Sequence, residues 1–314
     1  MTIRRAAVVV LRAVVTVGLL AFVLYIAGAA QVFDRLADAK PALLVATAIV
    51  SVAQTLSLVW RWQIMTRLLS GVTVEFGKLT LGMGRSLLFS VPLPSTVGGD
   101  VLRVAVLTPQ LGLAMAARSV VCDRILGLAS LIVLVAVLLP FFALRIDSGI
   151  AFGAAAATCA AGLVTFAGLV VAPQLLTKAP LIGGYAATVG TDLRTVLTAG
   201  QTGAFCVALA VVNHLMSVPV AYLLAQAFDA PVGFLACLLI IPPTLLVATL
   251  PISLGGWGVR EGALAAGFAL VGGSVGGAVA VSVVMGLLGP LTGAVFELVV
   301  PLAQRFSALA RRRA

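Results

Sequence analysis

Apolar residues run along this chain in long uninterrupted stretches, neither alternating as in a half-buried strand nor confined to one helical stripe. A helix advances about 1.5 Å per residue, so roughly 20 apolar residues are needed to cross about 30 Å of hydrocarbon. Six stretches reach that length: 8–29, 41–60, 125–144, 149–172, 202–226 and 232–250. Two further regions, 79–107 and 251–301, are apolar but broken by Gly, Pro and charge, the second around Gly272, Gly273, Gly276 and Gly277. The pattern predicts an all-α, polytopic integral membrane protein, a single domain over 1–314. It should have about eight crossings and two broken or re-entrant helix motifs.

Composition sharpens this. With 62% apolar and 10% charged residues and a mean hydropathy of +1.21, the chain has too few charges to coat a water-facing surface, where about 25% is usual. Twenty Lys and Arg against ten Asp and Glu leave a net charge of +10. The basic residues collect at segment ends (Arg4, Arg5, Arg12, Arg61, Arg67, Arg311, Arg312 and Arg313) and are not interleaved with stacking aromatics. That distribution excludes nucleic acid and suits an anionic lipid surface. Basic ends place both termini in the cytoplasm, in the inner membrane, and favour an even number of crossings. The connection 61–78, with Arg61, Arg67 and Lys78 beside Trp60 and Trp62, is expected at the cytoplasmic interface, as is 173–200 with Lys178 and Arg194. The short links near Asp147 and Asp229 should face outward. Residues Met1 to Gly28 form a first span, the apolar run being too long for a signal peptide. Four scattered cysteines (Cys122, Cys159, Cys206, Cys237) and one histidine give no metal-ligand spacing, so no metal and no cofactor is expected.

The chain repeats a motif. Residues 93–103 read Leu-Pro-Ser-Thr-Val-Gly-Gly-Asp-Val-Leu-Arg and residues 250–260 read Leu-Pro-Ile-Ser-Leu-Gly-Gly-Trp-Gly-Val-Arg, sharing L-P-x-[ST]-[VL]-G-G-x-x-x-R without a gap. Gly/Pro-interrupted segments in two halves of a chain are how many transporters build a substrate site, so an internal repeat is expected here. Proline stops a helix, the paired glycines (Gly98 and Gly99, Gly255 and Gly256) allow a sharp turn, and a new helix should follow each pair. A helix starting inside the membrane offers free N–H groups and a partial positive charge to a phosphate or carboxylate. Arg103 and Arg260 then lie about one turn into those helices, facing back toward the start.

Charges in apolar segments are the remaining candidates, because a charge at membrane depth is expensive and by default functional. Asp100 accompanies Arg103 and Glu261 accompanies Arg260; Arg118, Asp123 and Arg124 form another group. The plainer reading makes Asp100 a helix cap and leaves Arg118 and Arg124 as interface markers. Arg85 and Glu297 either line the same cavity or pair with each other. His214 fits a proton relay, or the commoner bond across helices. The spacings Gly272/Gly276, Gly273/Gly277 and Gly289/Gly293 suit close helix contacts better than a phosphate loop.

At Pro94 to Arg103, Ser119 to Leu128 and Pro251 to Gly262 the sequence resembles the lysylphosphatidylglycerol synthase transmembrane, or flippase-like, family, in order and spacing over nearly the whole chain. The resemblance implies a helical membrane domain associated with lipid translocation. It points to Gly98, Gly99, Asp100, Arg103, Asp123, Arg124, Gly255, Gly256, Arg260 and Glu261, without settling their roles. The best-known members carry a soluble aminoacyl-lipid synthase domain; this chain ends at Ala314 without one, so aminoacyl transfer is not expected.

The function expected is a flippase-like transporter of an anionic phospholipid, with the phosphate against Arg103, Arg260 or Arg124. Asp100 and Glu261 would hold those guanidiniums when the site is empty. A carrier of polyisoprenyl-phosphate sugar or hopanoid lipid is the alternative within transport. A lipid head-group enzyme, or a scaffold partnered with a lipid-modifying or glycosyl-transferring enzyme, is the alternative outside it. With one histidine and no H-E-x-x-H, nucleophile elbow or clustered acidic metal site, an enzyme is not the expectation.

Overall fold

The computed structural model describes residues 3–89, 98–145, 149–177, 183–230, 232–250 and 253–313. The expectations for Pro94 and Pro251, for Asp147 and Lys178, and for the side chains of Arg4, Arg5, Arg12 and Arg311 to Arg313 lie outside the described residues. In chain order the helices are α1 (Ile3–Ala27), α2 (Ala29–Ala37), α3 (Pro41–Ser70), α4 (Phe76–Leu88), α5 (Gly98–Leu111), α6 (Leu113–Arg145) and α7 (Gly149–Val171), then α8 (Pro173–Leu176), α9 (Gly183–Leu197), α10 (Gly200–Ala227), α11 (Phe234–Ala248), α12 (Val259–Leu270) and α13 (Val275–Arg313). A single 3₁₀ turn covers Leu254–Gly256, and no strand forms among the described residues. Helix is what an apolar solvent demands, since it satisfies each backbone polar group within its own segment.

Among the described residues five helices, α3, α6, α7, α10 and α13, are long and apolar enough to cross a membrane; the α1–α2 pair, bent by 80°, is either a broken sixth span or a re-entrant segment. The regions 79–107 and 232–250, counted toward eight from sequence, form the shorter helices α4, α5 and α11. Helices α3 and α6 run well beyond their apolar stretches. Helix α3 continues ten residues past Trp60, and α6 starts twelve residues before Ile125, so the charges in those extensions lie within helices and not at their ends.

The chain folds into two compact units, each assembled from separate stretches: Met1–Gln54, Gly84–Gly99 and Leu215–Arg305 in the first, and Thr55–Met83, Asp100–His214 and Phe306–Ala314 in the second. In the first unit α12 packs on α11 and α1, burying Val23, Ile240, Leu264, Phe268 and Val279 in one core. The bend at Gly28 (φ 74°) carries α2 against the end of α10. There Arg35 donates to the carbonyls of Phe228 and Asp229, both at 2.8 Å, and the Lys40 backbone N–H to that of Ala227 at 3.1 Å. Carbonyls at a helix end that would otherwise lack partners are thereby satisfied by a cation and a neighbouring N–H. In the second unit α6, α7 and α9 pack together over Cys122, Leu126, Val189 and Leu193. Much of the expected 173–200 connection is thus a packed helix.

Because lipid tails are as apolar as leucine, helices associate in a bilayer through close packing and polar contacts more than through burial. The glycine spacings of α13 serve this purpose. Gly276 faces the carbonyl of Ala27, Gly277 faces Ala230, and Gly293 lies against the Gly84 backbone of α4. A Cβ at Gly293 would meet the Gly84 carbonyl oxygen and lie 3.0 Å from the Leu88 nitrogen, whereas one at Gly289 would find only Leu87 at an ordinary 3.6 Å. Gly293→Ala should therefore destabilise the protein by about 1–3 kcal/mol through overpacking. Gly289→Ala should be neutral or stabilising by a few tenths to about 1 kcal/mol, since Ala suits a helix better than Gly. Thermal unfolding of both variants in detergent checks the contrast, and equal losses would refute it.

Candidate functional site

Helices α3, α5 and α6 bring five charges into one cluster in the second unit. On α6, Ser119, Asp123 and Gly127 recur every fourth residue and so share a face. That face meets Arg61, Trp62 and Thr66 of α3: Arg61 Nε donates to Asp123 Oδ1 at 2.9 Å, Trp62 Nε1 to Ser119 at 3.2 Å, and Thr66 bonds Ser119 at 3.2 Å. A Cβ on Gly127 would lie 3.4 Å from the Arg61 guanidinium. From α5, Arg103 Nη2 donates to Asp123 Oδ2 at 2.6 Å, and its guanidinium lies over the Trp62 ring at 4.3 Å from the centroid. Asp123 is thus held by two arginines with all three side chains buried.

Asp100, in the first turn of α5, is only loosely tied to Arg103 at 3.5 Å. Its main partner is Arg124, which donates from Nε and Nη2 at 2.9–3.1 Å. The expected pairing of Asp100 with Arg103 is therefore redistributed: Asp123 takes Arg103 and Asp100 takes Arg124. Exposure grades across the cluster, from 1% at Asp123 and 3% at Arg103 through 16% at Asp100 to 56% at Arg124. Three guanidiniums face two carboxylates, which leaves one net positive charge. Arg103 Nε is one of two buried side-chain polar atoms without a hydrogen-bond partner among the described residues; the other is Ser253 Oγ, in the second motif.

That second motif, in the first unit, has a different backbone. Gly255 (φ 59°), Gly256 (φ 78°) and Gly258 (φ 84°) are left-handed, a region open to glycine, whereas the aligned Gly98 and Gly99 already lie in α5. A new helix follows each motif as expected, but α12 starts only at Val259. Arg260 is consequently in its first turn and not one turn in. Gly99 contributes close approach instead of a turn, because a Cβ there would come within 2.6 Å of the Ser86 carbonyl oxygen. Glu261, fully buried, accepts from the Gly258 N–H at 2.5 Å, from Arg260 Nη2 at 2.8 Å and from the Ser282 hydroxyl at 2.9 Å. Arg260 also bonds Ser282 through Nε at 3.0 Å and lies over Trp257 at 4.8 Å. The charge of Arg260 is balanced within its own motif, and the start of α12 already holds a carboxylate.

The other candidates form separate pairs. Arg85 binds Glu297 at 2.8 Å, Arg118 forms a double bond pair with Asp192 of α9, and His214 Nε2 lies 2.8 Å from the Gly127 carbonyl, a bond across helices. All four cysteines are buried and free, and no group of His, Cys, Asp or Glu suited to a metal occurs among the described residues. Arg61 is the member that the sequence reading left out of its candidate site residues. It stood at the end of an apolar run, yet Gln63 to Ser70 continue the helix, so it lies well inside α3. That continuation was the available signal.

Removing one partner of a buried ion pair leaves an uncompensated charge, at about 3–5 kcal/mol. Asp123→Ala strands both Arg61 and Arg103 and should show a loss of that size. Arg103→Ala leaves two complete pairs, Arg61 with Asp123 and Arg124 with Asp100, and should cost only about 1–2 kcal/mol, within the ordinary range for a point change. Unfolding of both variants in detergent gives the comparison; similar losses would contradict the pairing described.

Comparison with known proteins bears on the same residues. No curated protein and no solved structure matches the chain. A family profile described as Lysylphosphatidylglycerol synthase TM region matches residues 9–292, a range that contains both motifs, the whole cluster and the Arg260–Glu261 site. This integral membrane protein, with a role connected to membrane lipids, therefore belongs to the lysylphosphatidylglycerol synthase TM region family.

Proposed function

We propose that the protein is a flippase-like transporter that moves an anionic lipid between leaflets of the cell's inner membrane and makes no covalent change to it. The carrying observation is the cluster of Arg61, Arg103 and Arg124 on Asp100 and Asp123, which has one cation in excess and a buried Arg103 N–H without an acceptor among the described residues. A buried donor without a partner costs about 1–3 kcal/mol, and charge-assisted bonds to phosphate oxygens would recover it. The head group enters at the exposed Arg124 and reaches toward Arg103, while the acyl chains stay in hydrocarbon. Only the polar head then needs a hydrated path, in keeping with a chain that is 10% charged. Membership of a lipid-associated family supports the same reading. In the second motif Arg260, Glu261, Gly255 and Gly256 shape and brace the start of α12, and any contact Arg260 makes with lipid is secondary. Both termini are cytoplasmic, and a lipid-modifying or glycosyl-transferring enzyme would supply the cargo.

Two measurements test this. In liposomes carrying fluorescent phosphatidylglycerol, the native protein should make inner-leaflet probe accessible to a membrane-impermeant quencher, with the lipid chemically unchanged. Arg103→Ala should abolish this while remaining inserted and folded, and Arg103→Lys, which keeps the charge and loses the planar fork, should retain part of it. Covalently altered lipid would favour an enzyme, and a folded protein without either effect would favour a scaffold. For orientation, Thr2→Cys and Ala314→Cys should both resist an impermeant thiol reagent in intact cells and react after permeabilisation, the native cysteines being buried. Labelling from opposite sides would rule out an even number of crossings.

A further inference from the structure

We propose that Asp100 is a tethered stand-in for the ligand's phosphate: it occupies Arg124 and stands beside Arg103 without filling its open side when the site is empty, and an arriving phosphate group displaces it. This rests on the anion-transport reading above and assigns the residue that sets affinity and release at that site. The bonds around Asp100 are uneven. Arg124 gives it three contacts at 2.9–3.1 Å, while Arg103 Nη1 stands at 3.5 Å and Arg103 Nε has no acceptor among the described residues. Asp123 does not fill the gap, since its two oxygens are committed to Arg61 and to Arg103 Nη2. Asp100 does not fill it either, being anchored to the first turn of α5. A free phosphate carries its oxygens on a tetrahedron, unattached to the backbone, and can serve Arg124 and the unsatisfied side of Arg103 together. The positive end of the 14-residue helix α5, which now steadies the Asp100 carboxylate, would steady a phosphate in its place.

Position distinguishes the two carboxylates. Asp123 is buried and holds two arginines, so it is structural. Asp100 is 16% exposed and bound chiefly to an arginine that is itself 56% exposed, so an anion can compete for its partner without opening the core. An internal competitor weakens binding and speeds release, and a carrier must release its cargo. The Arg260–Glu261 pair lacks this property, because Glu261 is fully buried and bonded to the Gly258 backbone, Arg260 and Ser282.

The experiment uses the full-length protein in detergent with Trp60→Phe and Trp257→Phe, so that Trp62, stacked on Arg103, reports occupancy by its fluorescence. Inorganic phosphate and dihexanoylphosphatidylglycerol are the two probes. Asp100→Asn removes the competing charge and retains the shape, and should bind at least one probe about tenfold more tightly, the scale of one charge-assisted hydrogen bond. The probe that tightens tells whether a free phosphate or a lipid head group is preferred. In liposomes the same variant should saturate at lower lipid content and exchange lipid more slowly. If Asp100 only steadies the start of α5, affinity for both probes will be unchanged or weaker, and the proposal falls. Should Asp100→Asn fail to fold, carbodiimide labelling of the native protein decides: saturating probe should raise labelling at Asp100, and unchanged or reduced labelling overturns the displacement. These binding measurements do not depend on leaflet exchange, so failure of the stand-in role and failure of the transport reading are separable.

Discussion

A carboxylate removed from water must be given cations, and in this protein that requirement at Asp123 joins three helices, α3, α5 and α6. Moving a single ion into a low-dielectric interior carries an effective penalty of several kcal/mol even after relaxation. Asp123 meets it by accepting from Arg61 and Arg103 at 2.9 and 2.6 Å, which ties α6 to α3 on one side and to α5 on the other. The contacts around it follow from this demand. Ser119 and Gly127 share its helix face, one bonding Trp62 and Thr66 and the other leaving room for the Arg61 guanidinium. Arg103 then rests on the Trp62 ring, where a weakly hydrated planar cation is well accommodated.

Two guanidiniums on one buried carboxylate leave a charge over, and the second carboxylate, Asp100, is shared with a third guanidinium. The excess is therefore carried outward to the half-exposed Arg124 and is not cancelled inside. At Arg260 the opposite holds: one cation, one fully buried anion, and a hydroxyl that bonds both. The first arrangement is the one on which the proposed capture of a phosphate rests, and the second suits a rigid helix start.

The two motifs show how little a shared string fixes when its geometry depends on neighbours. In both, glycine is needed because something lies too close for a Cβ. At Gly99 the obstacle is the Ser86 backbone, met by a residue already helical; at Gly256 the left-handed backbone itself (φ 78°) demands glycine, and the Ala248 carbonyl oxygen crowds the site at 2.9 Å. The same residue type thus answers close approach in one place and a turn in the other, which shifts the start of the following helix by four aligned positions and changes where each arginine falls on it.

What the sequence determined by itself was the solvent and everything that depends on it alone. Long apolar runs and few charges require membrane helices, and α1, α3, α6, α7, α10 and α13 fall where those runs lie. The motifs, the candidate charges and the glycine contacts of α13 were also legible, because their cost or use in a bilayer is a property of the residue type. Helix ends were not, since α3 and α6 continue through charged residues that pair only once another helix is beside them. Nor was the choice of partner. Asp100 and Arg103 stand at a spacing that permits a pair, yet they meet only at 3.5 Å, the short bond of Arg103 goes to Asp123, twenty residues on, and Arg61 joins from sixty-two residues before it. Pairing of buried charges minimises the energy of the whole cluster, and which charges belong to that cluster is decided by how α3, α5 and α6 pack.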